Sequence, residues 1–168
     1  LNTLLTMKMQ SMFKALAFCG CLLMLMGCPY SSDVPLTAAG VKVPANLIGT
    51  WEDSGATDKD KFEVKKTGET TVDIIKTAAY DGAQTTYKGY FSEIGGALFL
   101  NLKENTEYAS FYFYRVNPEG ANKLTLQEVT SYIDEKFTDS AAMKAFFEKN
   151  MNHSFFYSNE ETTYYKVN

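Results

Sequence analysis

The chain has 168 residues, a formal net charge of −4 and 14 % aromatic residues, with 11 Tyr, 12 Phe and a single Trp. An acidic balance with no Lys/Arg cluster, in which Arg115 is the only arginine, excludes a phosphate-reading surface and with it nucleic acid as a partner. That length makes one ordinary domain with chain enough for a sizeable core.

Lys8 and Lys14 flank the start of an apolar run from Ala15 to Met26, which Gly27-Cys28 closes. A positive start, a short apolar run and a small-residue end are the parts of a secretory signal, and the run is short for a bilayer span. Leu25-Met26-Gly27-Cys28 resembles the lipobox of bacterial lipoproteins, with Leu25, Gly27 and Cys28 at the matching positions and Met26 departing from the usual small residue. The resemblance implies that Cys28 becomes an acylated N-terminus anchored in a membrane of the bacterial cell envelope. An ordinary secretion signal cut nearby, or a short anchor left uncut, would share the pattern. Residues 1–27 are thus expected to be a leader, with Met7, Met9 and Met12 each offering an alternative start. The other cysteines, Cys19 and Cys21, fall within this leader, so the exported domain is expected to hold no disulfide and no thiol chemistry.

Residues 28–45, with Ser31, Ser32, Pro35 and Gly40, read as a flexible tether. The domain proper, 46–168, opens with an extended run from Leu47 to Glu52. Lys61 to Lys66 alternates, with Phe62 and Val64 on one face and lysines and Glu63 on the other, the pattern of a strand with one wet side. Thr67-Gly68-Glu69 turns the chain into a strand from Thr70 to Thr77. Asp81-Gly82 precedes a strand from Thr85 to Ile94, and Gly95-Gly96 precedes one from Ala97 to Lys103 in which Leu98, Leu100 and Leu102 share a face. Ala109 to Asn117 centres on Phe111-Tyr112-Phe113-Tyr114, Pro118-Glu119-Gly120 ends it, and Lys123 to Val129 follows. A single amphipathic helix comes next, with Thr138 or Asp139 as N-cap and Ala142, Met143, Phe146, Phe147 and Met151 at helical spacing. Two last strands, Ser154 to Tyr157 and Thr162 to Val167, are expected around a turn at Asn159-Glu160-Glu161.

Turns at short, even intervals predict a mainly β fold, an antiparallel up-and-down barrel or a two-sheet sandwich. Gly49-Thr50-Trp51 on the first strand resembles the Gly-x-Trp opening of the lipocalin and calycin families. The resemblance implies a barrel of about eight strands closed at one end by Trp51, with a basic residue of the last strand over the indole. Lys166 is the residue here for that role, where the family more often has arginine.

Chemistry is sparse. His153 is the only histidine, so a catalytic triad or histidine metal site would rest on it alone; it reads as a surface residue or a partner of the helix C-terminus. Asp58-Lys59-Asp60 lacks the spacing of a calcium loop and reads as a solvated turn. Glu160-Glu161 falls in the expected turn, where water would screen it. No enzyme activity, metal or cofactor is expected. All the tyrosines and most of the phenylalanines follow the leader, so the interior is either lined or filled by aromatics. If it is open, it would bind a small hydrophobic molecule through Phe62, Val64, Val72, Ile74, Tyr87, Phe91, Leu98, Leu100, Phe111 and Phe113, a set chosen by strand phase. If it is closed, the alternative is an envelope interaction module that presents Tyr112 and Tyr114 outward to a protein partner.

Overall fold

The computed structural model describes residues 29–55 and 60–167. The expected leader and Cys28, like Asp58 and Lys59, lie outside these residues. The described residues form nine strands: β1 (Ser31–Ser32), β2 (Gly49–Asp53), β3 (Lys61–Lys66), β4 (Thr71–Thr77), β5 (Gln84–Ile94), β6 (Ala97–Glu104), β7 (Phe111–Glu119), β8 (Lys123–Val129) and β9 (Tyr157–Val167). Among the described residues one α-helix, α1 (Ser140–Asn150), lies between β8 and β9.

From β2 to β8 each strand pairs antiparallel with the next in sequence; β9 then pairs with both β8 and β2. These pairings close eight strands into an up-and-down barrel, which leaves no free edge. The short β1 lies on the β7 edge beyond the end of β8, pairing Ser31 with Tyr112 and Ser32 with Phe111. The strand limits follow the alternation closely for β3, where one face is wet and the phase is unambiguous.

Two apolar clusters divide the molecule. One fills the barrel interior and includes Leu47, Trp51, Val64, Val72, Ile74, Phe91, Leu100, Val116 and Leu124. The other lies outside the wall, where α1 and residues 30–36 cover β6 and β7, and includes Leu36, Phe99, Phe113, Val129, Met143, Phe147 and Phe156. Asp139 is the N-cap of α1 and accepts from the Ala142 amide at 2.8 Å. Met143 and Phe147 form the helix's buried stripe, with Phe146 at its margin and Ala142 exposed. Phe147 meets Phe99 and Phe113 edge-on, each at 5.5 Å, and Phe156 at 4.9 Å.

Two expectations need correction here. The flexible tether is instead a packed strap over its described part, residues 29–45. Tyr30 and Leu36 are buried in the outer cluster and Val43 in the interior one, so the strap leads from the outer wall to the closed end of the barrel. A buried polar group holds it there. The Leu36 amide donates to Asn101 Oδ1 (2.9 Å), Asn101 Nδ2 donates to Ser92 Oγ (2.8 Å), and Ser92 Oγ lies 2.6 Å from Thr37 Oγ1. The strap's scattered apolar residues follow no strand or helix period, so their common destination is invisible in sequence. The second correction concerns the end of the chain. Ser154–Phe156 is a 3-10 turn, and Tyr157–Val167 is one continuous strand through the expected turn. Its polar residues are accommodated by a bulge: Gln127 pairs with Glu161 and Val129 with Tyr157, so three residues of β9 oppose Glu128.

Candidate functional site

Because successive strands run in opposite directions, the β3–β4, β5–β6 and β7–β8 turns share one end of the barrel. The 3-10 turn Ala45–Leu47 crosses that end, and Val43, which precedes it, donates to the Glu69 carbonyl at 2.9 Å. Leu47 plugs it and is 2 % exposed, while the Trp51 indole N–H donates to the Leu47 carbonyl at 2.9 Å. Lys166, opposite Trp51 in the ladder, places its ammonium 5.2 Å from the indole centroid and donates to the Asn46 carbonyl at 3.0 Å. This is the arrangement that the Gly-x-Trp resemblance implies for the two residues. This end is closed.

The other end is open onto a cavity of about 350 Å³. Its floor is apolar, made by Leu47, Val64, Phe91, Leu100, Val116 and Leu124. Higher up, Phe62, Ile74, Leu102 and Leu126 line the wall together with four tyrosines, Tyr87, Tyr112, Tyr114 and Tyr164. The cross-strand ladders explain the lining. Ile74 faces Tyr87, Phe91 faces Leu100, Leu100 faces Tyr114, Leu102 faces Tyr112, and Leu124 faces Tyr164, and directly paired side chains lie on the same face of a sheet. Pro29, Asp60, Lys61, Lys76 and Glu104 surround the mouth.

The polar groups inside are perturbed by burial. Tyr114 donates to the Glu128 carboxylate at 3.2 Å, and burial, with the nearby Glu128 charge second, pushes its phenol well up. Burial likewise raises Tyr164 to about 12 and raises Tyr87, the latter helped by Glu104. Glu128 itself is raised by burial, against the opposing effect of the Tyr114 hydrogen bond. At the mouth, the Lys76 ammonium, 2.9 Å from Asp60, and the Ala79 amide hold the Asp60 carboxyl below its usual value. The arrangement is an apolar well under a belt of phenols whose hydroxyls can donate to and accept from a ligand's polar end.

Of the candidates chosen by phase, Phe62, Val64, Ile74, Tyr87, Phe91 and Leu100 line the cavity. Val72 and Leu98 belong to the interior cluster near the closed end, without lining the cavity. Phe111 and Phe113 face the other way. Phe113 is 1 % exposed between Tyr30 and Phe147, and Phe111 packs on the same outer cluster beneath the Lys103 ammonium. The phase of β7 is thus opposite to the expected one: Tyr112 and Tyr114 point inward, so they form no exterior patch for a partner. Sequence reasoning missed them, along with Leu102, Val116, Leu124, Leu126 and Tyr164. The placement of Leu98, Leu100 and Leu102 on one face held the signal for Leu102, and Leu124 and Leu126 alternate in the same way.

His153 is exposed and stacks on Phe155 with centroids 5.1 Å apart, as the residue before the 3-10 turn. Among the described residues, no group of three or more His, Cys, Asp or Glu is placed to hold a metal ion. No protein-family model, no curated protein and no solved structure matches this chain.

Proposed function

We propose that this is a lipid-anchored protein of the bacterial cell envelope that binds a small, largely apolar molecule in its barrel without chemically changing it. The observation that carries the reading is the cavity: open at one end, apolar at its floor, ringed by four phenols and about 350 Å³ in volume. Ligand pockets range over roughly 300–1,000 Å³, so this one suits a compact ring system or a single short chain rather than a two-chain lipid. A ligand's apolar body would displace water from the floor formed by Leu47, Phe91 and Leu100, and its polar end would meet Tyr87, Tyr112, Tyr114 or Tyr164. The leader pattern ending in Cys28 and the calycin-like pair of Trp51 and Lys166 support the anchor and the barrel-binding mode respectively.

Native mass spectrometry of the protein purified gently from its own host tests this. A co-purifying small mass, lost on organic extraction and reduced in Leu100→Ala, is the expected result. A clean apo mass, with no change in melting temperature across a panel of fatty acids, sterols and quinones, would overturn it.

A further inference from the structure

Among the described residues the three large hydrophobic side chains most exposed to solvent are Tyr80 (96 %), Tyr108 (91 %) and Tyr132 (69 %). They lie on three different connections: Tyr80 between β4 and β5, Tyr108 between β6 and β7, and Tyr132 two residues after Thr130, where the chain leaves β8. The alternating direction of the strands sends all three connections out at the open end, around the cavity mouth. Pro29 lines that mouth and is bridged to Thr130, so the preceding chain enters the fold at the same rim. In the lipid-anchored reading Cys28, immediately before Pro29, carries the acyl chains.

We propose that the open rim is a bilayer-docking face, with the three tyrosines resting in the headgroup layer and the cavity mouth turned towards lipid. Tyrosine suits that layer, because its ring is apolar and its hydroxyl stays hydrated. Each ring alone would hold a protein at a membrane weakly. An anchor that joins the fold at the rim raises the local concentration of lipid there and makes weak contacts sufficient. Asp81 beside Tyr80 and Glu107 beside Tyr108 favour neutral over anionic headgroups. The proposal rests on the membrane-anchor part of the reading above and is independent of what the cavity holds.

The test uses the full chain reconstituted into phosphatidylcholine vesicles, in which brominated acyl chains quench nearby tryptophan. Tyr80→Trp, Tyr108→Trp and, at the closed end, Glu69→Trp are compared, with Trp51 of the unmodified chain as the buried background. Brominated lipid should remove at least about half of the added emission at positions 80 and 108 and under about a tenth at 69, as expected for interfacial against distant side chains. Flotation with the vesicles but equal quenching at the two ends, or stronger quenching at 69, would overturn the docking face and leave the anchor standing. Failure to float would overturn both. A blue shift at 80 and 108 that grows with protein concentration without lipid would show a second copy to be the occupant, and would overturn the proposal too.

Discussion

Lys166 and Gly49 make one structural unit at the closed end, with the lysine Cε running where a Gly49 side chain would begin. A Cβ built on Gly49 would lie 2.8 Å from Lys166 Cε, and the residue's φ of +129° is one that side-chain-bearing residues rarely adopt. The glycine of Gly49-Thr50-Trp51 therefore has two physical reasons: it permits the bend into β2, and it leaves room for the lysine to reach the Trp51 ring.

This makes two separable predictions. Lys166→Ala removes the cation over the indole and the bond to the Asn46 carbonyl, and should cost about 1–2 kcal/mol by chemical denaturation, with Lys166→Arg close to wild type. Gly49→Ala should cost about 1–3 kcal/mol. In the double variant, the contact part of the Gly49→Ala cost should disappear and the backbone part remain, so the two effects should be less than additive.

Filling the cavity should separate binding from folding. Leu126 is half-buried in the wall with open space in front of it, so Leu126→Trp should abolish any co-purifying ligand. Its unfolding free energy should stay within about 1.5 kcal/mol of wild type, because the larger side chain enters a void rather than a packed core. Retention of the ligand mass in this variant would place the ligand elsewhere.

The strap should come loose when its buried anchor is removed. Asn101→Leu keeps the volume but leaves the Leu36 amide without its acceptor and Ser92 without its amide donor. A cost of about 1–3 kcal/mol is expected. Faster hydrogen exchange at Leu36 and new protease cleavage within residues 33–42 should accompany it, while amides of β3 and β4 keep their protection.

Helix α1 should prove part of the core and not an optional cover. Phe147 is fully buried against three other phenylalanine rings, so Phe147→Ala should cost about 3–5 kcal/mol. Phe146→Ala, at the half-exposed margin of the same helix, should cost clearly less.

Glu128 should weaken the fold as pH rises. Burial holds its carboxyl above the ordinary value of 4.5, so the folded state keeps that proton to higher pH than the unfolded chain does. Stability from this group is therefore fullest below its ordinary value and is lost as pH rises through the raised folded value. Glu128→Gln, whose amide oxygen still accepts from Tyr114, removes the effect. Denaturation midpoints should show the variant gaining on wild type between acidic and neutral pH. Asp60 and Glu119, both lowered by lysine partners, act in the opposite direction in both proteins and cancel in the comparison.

Much of the barrel was legible. In β3, charged residues on one face and Phe62 and Val64 on the other define the strand, its limits and its inward side together, because only one face can be buried. The Asp139 cap and the Met143/Phe147 stripe are equally local signals. β7 is different. Phe111-Tyr112-Phe113-Tyr114 presents aromatics on both faces, and α1 and the strap bury the outer one, so no wet side marks the phase. The same double burial explains β6, where Phe99 and Asn101 are as buried as Leu100 and Leu102.

The sequence by itself determined an up-and-down series of antiparallel strands, one capped helix near the C-terminus, and a tryptophan near the start with a lysine near the end. Those features rest on neighbours in the chain: period-two alternation, turn residues and a helix cap. Only the tertiary structure decided that residues 29–45 are packed, that Tyr112 and Tyr114 look into the barrel, and that its interior stays open above Leu47. Each of these depends on what covers a surface from far along the chain, and alternation says which residues share a face but not which face is covered.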